Sequence, residues 1–251
     1  MSEANEGTNE EKALGPAAFR TTRWSMVLAA GGDDTTLSGQ ALEQLCRRYW
    51  YPLYAYVRRR GYSHEDASDL TQSYFARLLE KRSFSTVEPG IARFRSYLLG
   101  GLKNFLINEW ENANRQKRGG GQMIVSLDDE NADQRYALDQ SDSDSPDKLF
   151  ERQWAHAVIE AVLARLRKEF AGSEKAGLFD ALKPALTADQ FDQPYAELAA
   201  SLGMAEGTLR VTISRMRKRF GKLLRQEVAQ TVSAPEEVEA EVRSLILALG
   251  A

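Results

Sequence analysis

The chain has 251 residues, 43% hydrophobic and 27% charged, with a formal net charge of -3 and one cysteine. That is enough apolar content to bury the core of one large domain or two modest ones, while a lone cysteine excludes an internal disulfide and fits a reducing compartment. No apolar run approaches membrane-spanning length, and the start, MSEANEGTNEEK, is acidic where a signal peptide would be basic and then apolar, so the expected location is cytoplasmic with no membrane insertion.

Net charge hides a pattern. Basic segments around Arg93 to Arg118 and Arg210 to Arg225 are separated by an acidic one. Residues 1–15 are polar and expected to be disordered, and Phe19, Trp24, Val27 and Leu28 begin the first ordered element. Leu37 to Arg60 carries apolar residues at helical spacing, with Pro52 predicting a kink or a restart. Ser63 is a good N-cap for HEDASDLTQSYFARLLE, which has acids in its first turn. Pro89-Gly90 marks a turn within Lys81 to Ala92, before a basic and aromatic helix from Arg93 to Asn114.

Periodicity is lost over 115–145, where Arg115, Lys117 and Arg118 give way to a tract rich in Asp and Ser. This reads as a flexible acidic linker. Ser145-Pro146-Asp147 supplies cap, first-position proline and acid in order, opening a helix with the stripe Leu149, Trp154, Val158, Val162 and Leu166. A shorter helix follows over Ser173 to Leu186. Last comes an acidic amphipathic helix from Pro235 to Leu249.

Between them lies YAELAASLGMAEGTLRVTISRMRKRF, Tyr195 to Phe220. Leu198, Ala199 and Leu202 make one stripe, Gly203 suits a left-handed stop, and Leu209, Ile213, Met216 and Phe220 make the stripe of a second helix. Its opposite face offers Gly207, Val211, Ser214, Arg215, Lys218 and Lys222. Any amphipathic helix has a solvated face, but seven cations stand here against only Glu206 and Glu227 between residues 206 and 227. A merely solvated face mixes both signs, so this segment is expected to be a helix-turn-helix that binds DNA.

Two motifs carry a family resemblance. Asp66, Ala67, Asp69, Leu70, Gln72, Phe75, Arg77 and Leu78 fit the form D-A-x-D-L-x-Q-x-x-F-x-R-L. Tyr195, Glu197, Leu198, Ala199, Leu202, Gly203, Glu206, Gly207, Thr208, Leu209, Arg210, Arg215 and Arg217 fit Y-x-E-[LI]-A-x-x-L-G followed by E-G-T-[LV]-[RK] and R-x-R. In this order, joined by a polar linker, the chain resembles an extracytoplasmic-function sigma factor of bacterial RNA polymerase.

The resemblance implies an all-α fold of two small domains: a sigma2-like bundle over 16–114 and a sigma4-like helix-turn-helix domain over 146–232, with the linker at 115–145 and a C-terminal extension helix at 233–251. It implies core polymerase as partner, through the β′ clamp helices and the β flap, together with promoter DNA and an anti-sigma protein. Docking on polymerase would fall to Asp66, Asp69, Leu70, Gln72, Phe75 and Arg77. The -35 element would be read by Glu206, Gly207, Thr208, Arg210, Val211, Ser214, Arg215, Lys218 and Lys222. Capture of the -10 element would fall to the loop Lys81 to Ala92 and the helix Arg93 to Asn114, with Arg95, Lys103, Asn104 and Asn108 facing DNA and most of the aromatics in the core. Ser73 departs from the pattern, standing where the docking motif usually has a carboxylate.

The acidic linker could also keep free DNA away by competing for the basic faces. The C-terminal helix is expected either to pack on a domain and limit access to DNA or polymerase, or simply to stabilise the fold. Nothing points to catalysis, a metal or a cofactor: the two histidines, His64 and His156, stand without nearby ligand partners, and Gly119 to Gly121 lack the Lys-Ser/Thr of a phosphate loop. The competing reading is a stand-alone helix-turn-helix regulator that never joins polymerase.

Overall fold

The computed structural model describes residues 35–81, 93–115, 131–138, 144–171, 176–187 and 194–250. Every regular element among them is helical: α1 (Thr35–Arg59), α2 (His64–Lys81), α3 (Phe94–Arg115), α4 (Ala132–Leu138), α5 (Pro146–Ala171), α6 (Ala176–Leu182), α7 (Pro184–Thr187), α8 (Tyr195–Ser201), α9 (Glu206–Val228), a 3₁₀ turn at Pro235–Glu237, and α10 (Val238–Leu249). None of these helices is long and apolar enough to cross a membrane.

Local chemistry sets the helix starts. Ser63 Oγ accepts the Asp66 N–H at 3.0 Å and donates to the Asp66 carboxylate at 2.8 Å, closing the first turn of α2. Ser145 Oγ accepts the Lys148 N–H at 3.3 Å ahead of α5, whose first residue is Pro146. α1 runs through Pro52 without restarting. Packing compensates for the hydrogen bond that proline removes, because every side chain from Tyr49 to Val57 is buried.

A helix that is apolar all round must be surrounded, and α1 packs against α2, α3, α4 and α5. Tyr49 joins three of these helices: its ring meets Phe94 of α3 edge-on at 5.1 Å, and its hydroxyl accepts the Trp154 Nε1–H of α5 at 3.1 Å. Burial pushes its pKa well above the ordinary tyrosine value, so the phenol stays neutral. At the α2–α3 crossing, Tyr74 donates to the Leu98 carbonyl at 2.8 Å and fills the space where a Cβ on residue 101 would stand, so any side chain there would displace the Tyr74 hydroxyl from its bond.

Two expectations are corrected. First, the tract read as a flexible linker contains α4, which docks on α1. Ala132 and Tyr136 are buried, Arg58 pairs with Asp133 at 3.0 Å and lies over the Tyr136 ring, and Arg135 covers Tyr51 at 4.0 Å. Two apolar residues and well-placed guanidinium groups suffice to order a short helix that composition alone assigns to a tether. Second, the two halves do not have separate cores. α5 packs along α1, and the buried residues from Cys46 to Leu245 form one cluster. Beside the expected stripe on α5 stand Phe150, Ala155 and Leu163, also buried. The resulting apolar face is wide enough to meet α1, α9 and α10 together.

The segments Phe19 to Leu28, 82–92, 116–130 and 139–143 lie outside the described residues. With them go the expected strand-capturing loop, Lys117 and Arg118, and much of the acidic tract.

Candidate nucleic-acid interface

α8 ends as its sequence predicts. Gly203 takes φ +64°, its N–H reaches the Ala200 carbonyl at 3.1 Å, and the Met204 N–H reaches the Ala199 carbonyl at 3.0 Å. This pair of bonds satisfies the last carbonyls of α8 and reverses the chain in a left-handed turn that a Cβ would strain. α9 then packs on α8, with Leu209, Ile213 and Met216 buried alongside Leu198 and Ala199.

The opposite face of α9 is open. Gly207, Thr208, Val211, Ser214, Arg215, Lys218 and Lys222 are exposed, Val211 by 50%. From Gly207 to Lys222 the stripe runs about 22 Å at about 1.5 Å per residue, enough to enter a major groove and reach the phosphates beside it. A Cβ at Gly207 would meet nothing within 4 Å, so the fold itself does not need a glycine there.

The cations of α9 divide by partner. Arg217 donates twice to the Ala185 carbonyl, at 3.0 and 2.9 Å, and so braces α9 on α7. Arg219 pairs with Glu169 at 2.5 Å, and its hydrogen bond holds the Glu169 carboxyl below the ordinary glutamate value. Arg225 pairs with Glu239 at 2.6 Å. Arg210 pairs with Glu206 at 2.6 Å and lies 4.7 Å over the Tyr195 ring. Arg215, Lys218 and Lys222 form no ion pair with another described residue, so their charge faces solvent.

In α2 the expected docking residues split. At about 100° per residue, Asp66, Asp69, Leu70, Ser73 and Arg77 share one face with Gln72 at its flank, whereas Phe75 lies about 180° from Asp66. Burial agrees: Asp66, Asp69 and Ser73 are exposed, Leu70, Gln72 and Arg77 half-buried, and Phe75 is 0% exposed. Phe75 is thus corrected from a partner contact to a core residue that fixes the helix from beneath.

In α3 the expected DNA-facing set also splits. Asn104 and Asn108 are exposed, but Arg95 is only 6% exposed. Its Nε and Nη2 donate to Glu241 of α10 at 2.6 and 3.1 Å, its Nη1 meets Glu151 of α5, and its guanidinium lies 4.4 Å from the Trp154 ring centroid. Burial alone would lower the Arg95 pKa, yet the bonds and charges of Glu241 and Glu151 raise it, so it stays a cation. Lys103 pairs with Asp147 at the start of α5. Arg95 is therefore corrected from a DNA-facing group to the centre of a buried ion cluster. Long-range pairing of this kind leaves no trace in local periodicity.

Two residues escaped the sequence reading. Ile107 and Trp110 are 55% and 64% exposed; at about 100° per residue Ile107 falls about 60° from Asn104, whereas Trp110 lies about 160° from Asn108. Their signal was angular, since both fall off the stripe formed by Leu98, Leu102, Phe105 and Leu106. Among the described residues no cluster of His, Cys, Asp and Glu could hold a metal ion. Compared with protein-family models, curated proteins and solved structures, the chain matches none.

Proposed function

We propose that this protein is a sigma factor of the extracytoplasmic-function type, which binds core RNA polymerase and directs initiation at a particular promoter. The observation that carries the reading is the exposed face of α9, set on α8 by the Gly203 turn, with small residues at its start and, further along, Arg215, Lys218 and Lys222, which have no acidic partner among the described residues. Small residues allow close approach to base edges of a -35 element, and the cations replace counterions on its phosphates. The outward carboxylates Asp66 and Asp69 on α2 support docking on the β′ clamp helices. Exposed Asn104 and Asn108, about 40° apart on α3, suit hydrogen bonds to an unpaired -10 strand. No catalytic role, cofactor or metal enters this reading.

A stand-alone regulator has one observation in its favour: Arg95 and Lys103 of α3 are paired within the molecule, whereas Arg215, Lys218 and Lys222 of α9 have no acidic partner among the described residues. The two readings separate in one experiment. The full chain is mixed with purified core polymerase and a promoter library, and the sigma reading expects a stable complex and promoter-dependent transcripts. Asp69→Lys is expected to abolish both while leaving duplex binding by α9 intact. Absence of a polymerase complex, with tight duplex binding by the chain alone, would leave the regulator reading standing.

A further inference from the structure

After α9 the chain turns back onto the start of α3 and attaches there at several points. The Thr231 carbonyl accepts the Phe94 N–H at 3.0 Å, occupying a donor in the first turn of α3 that its own helix cannot satisfy. Glu237 folds the turn by accepting from the Ser233 N–H and hydroxyl, each at 3.0 Å. From α10, Glu241 reaches Arg95 at 2.6 Å and Arg93 at 3.0 Å, and Ser244 Oγ accepts from Arg93 at 3.2 Å. The Glu241 side chain is only 1% exposed.

Hydrophobic contact holding α10 is narrow. Val238, Val242 and Leu245 are buried against α5 and α9, but Ile246 and Leu247 are 60% and 73% exposed. Besides that apolar stripe, the helix is held by the buried Glu241 carboxylate, the hydrogen bond from Arg93 to Ser244 and the surface pair of Glu239 with Arg225. A carboxylate and a phosphate are interchangeable partners for a guanidinium, each accepting charge-assisted hydrogen bonds.

We infer that α10 is an internal latch: Glu241 occupies the place on Arg93 and Arg95 that a nucleic-acid phosphate would take, closing the start of α3 until α10 lifts. The inference rests on the reading of α3 as a strand-binding helix. Tethering favours the latch, because an attached group acts at an effective concentration on the order of millimolar and loses little translational freedom on closing. Only a partner that adds binding energy elsewhere, such as a large protein surface engaging α2, would displace it.

The test uses the full chain and a fluorescent single-stranded DNA oligonucleotide, with affinity read by anisotropy over a range of salt. Glu241→Gln keeps shape and removes the charge. It is expected to speed amide exchange over 238–249 and to tighten strand binding about tenfold, with a salt slope steeper by about 0.7 for each phosphate gained. Leu245→Asp, which lifts the helix by burying a charge and leaves Glu241 in place, is expected to give the same gain. Unchanged strand affinity in both variants, with amides of α1 and α5 still protected, overturns the latch. So does an equal gain from Glu236→Gln, which removes an exposed carboxylate that touches neither arginine. Failure of the polymerase reading would appear separately, as no complex with core enzyme, since strand binding is measured on the chain alone.

Discussion

Arg215, Lys218 and Lys222 on α9, and Arg93 just before α3 with Arg95 and Lys103 on it, are the same chemistry in opposite circumstances. The first three face water with no acidic partner among the described residues, whereas Glu241, Glu151 and Asp147 neutralise the second three. All four of the ion pairs involved join the front half of the chain to the rear. A basic stretch in a sequence therefore states only how much charge the chain carries, and tertiary pairing decides how much of it a phosphate can meet.

The sharpest way to break the contrast is to remove a cation from each helix. Arg95→Ala removes two of the bonds to the buried Glu241 carboxylate and leaves it Arg93, and is expected to cost about 3 kcal/mol in denaturant unfolding. A loss under about 1 kcal/mol would mean that the cluster is not buried as described. Arg215→Ala paired with Lys218→Ala should leave stability within about 0.5 kcal/mol. Their effect belongs to binding: duplex affinity is expected to fall and the logarithmic salt slope to flatten by about 0.9 per lost phosphate, and an unchanged slope would remove these residues from the interface.

Gly207→Ala sharpens the comparison further. The added methyl meets nothing inside the molecule, so unfolding should become harder by about 0.5 kcal/mol while duplex binding weakens. Stability and binding rising together would argue that no partner approaches this turn. The smallest effect is expected at Arg219, whose pair with Glu169 lies at the surface and is worth a few tenths of a kcal/mol. Because Arg219 holds the folded Glu169 below its ordinary value of 4.5, the pair contributes above that pH, and the contribution fades as pH falls through the lower folded value. Wild type and Arg219→Ala should thus differ slightly at neutral pH and converge in acid, as followed by thermal unfolding.

Much of the fold was legible where the cause is local. Ser63, Ser145 and Gly203 announce helix ends through bonds made within a few residues, and the faces of α9 follow from a period of 3.6. The opposite placement of Phe75 and Asp66 was legible too, by the same angular count, although a motif that runs along the chain draws attention away from the face each residue occupies. What could not be read was long-range. Nothing near Arg95 in sequence indicates Glu241, and the acidic tract gives little sign that Ala132 and Tyr136 order a helix. One hint of the shared core was present: Tyr49 to Val57 is apolar on every side, and a small front bundle cannot cover such a helix alone.

Trp154 and Trp110 give the molecule a practical property. One indole is sealed beneath a guanidinium and hydrogen-bonded to a phenol, whereas the other stands in water on α3. A soluble quencher will reach the second far sooner than the first. With Trp24 and Trp50 replaced by Phe, engagement of the outer surface and loosening of the interior should therefore register as separate optical signals without any attached dye.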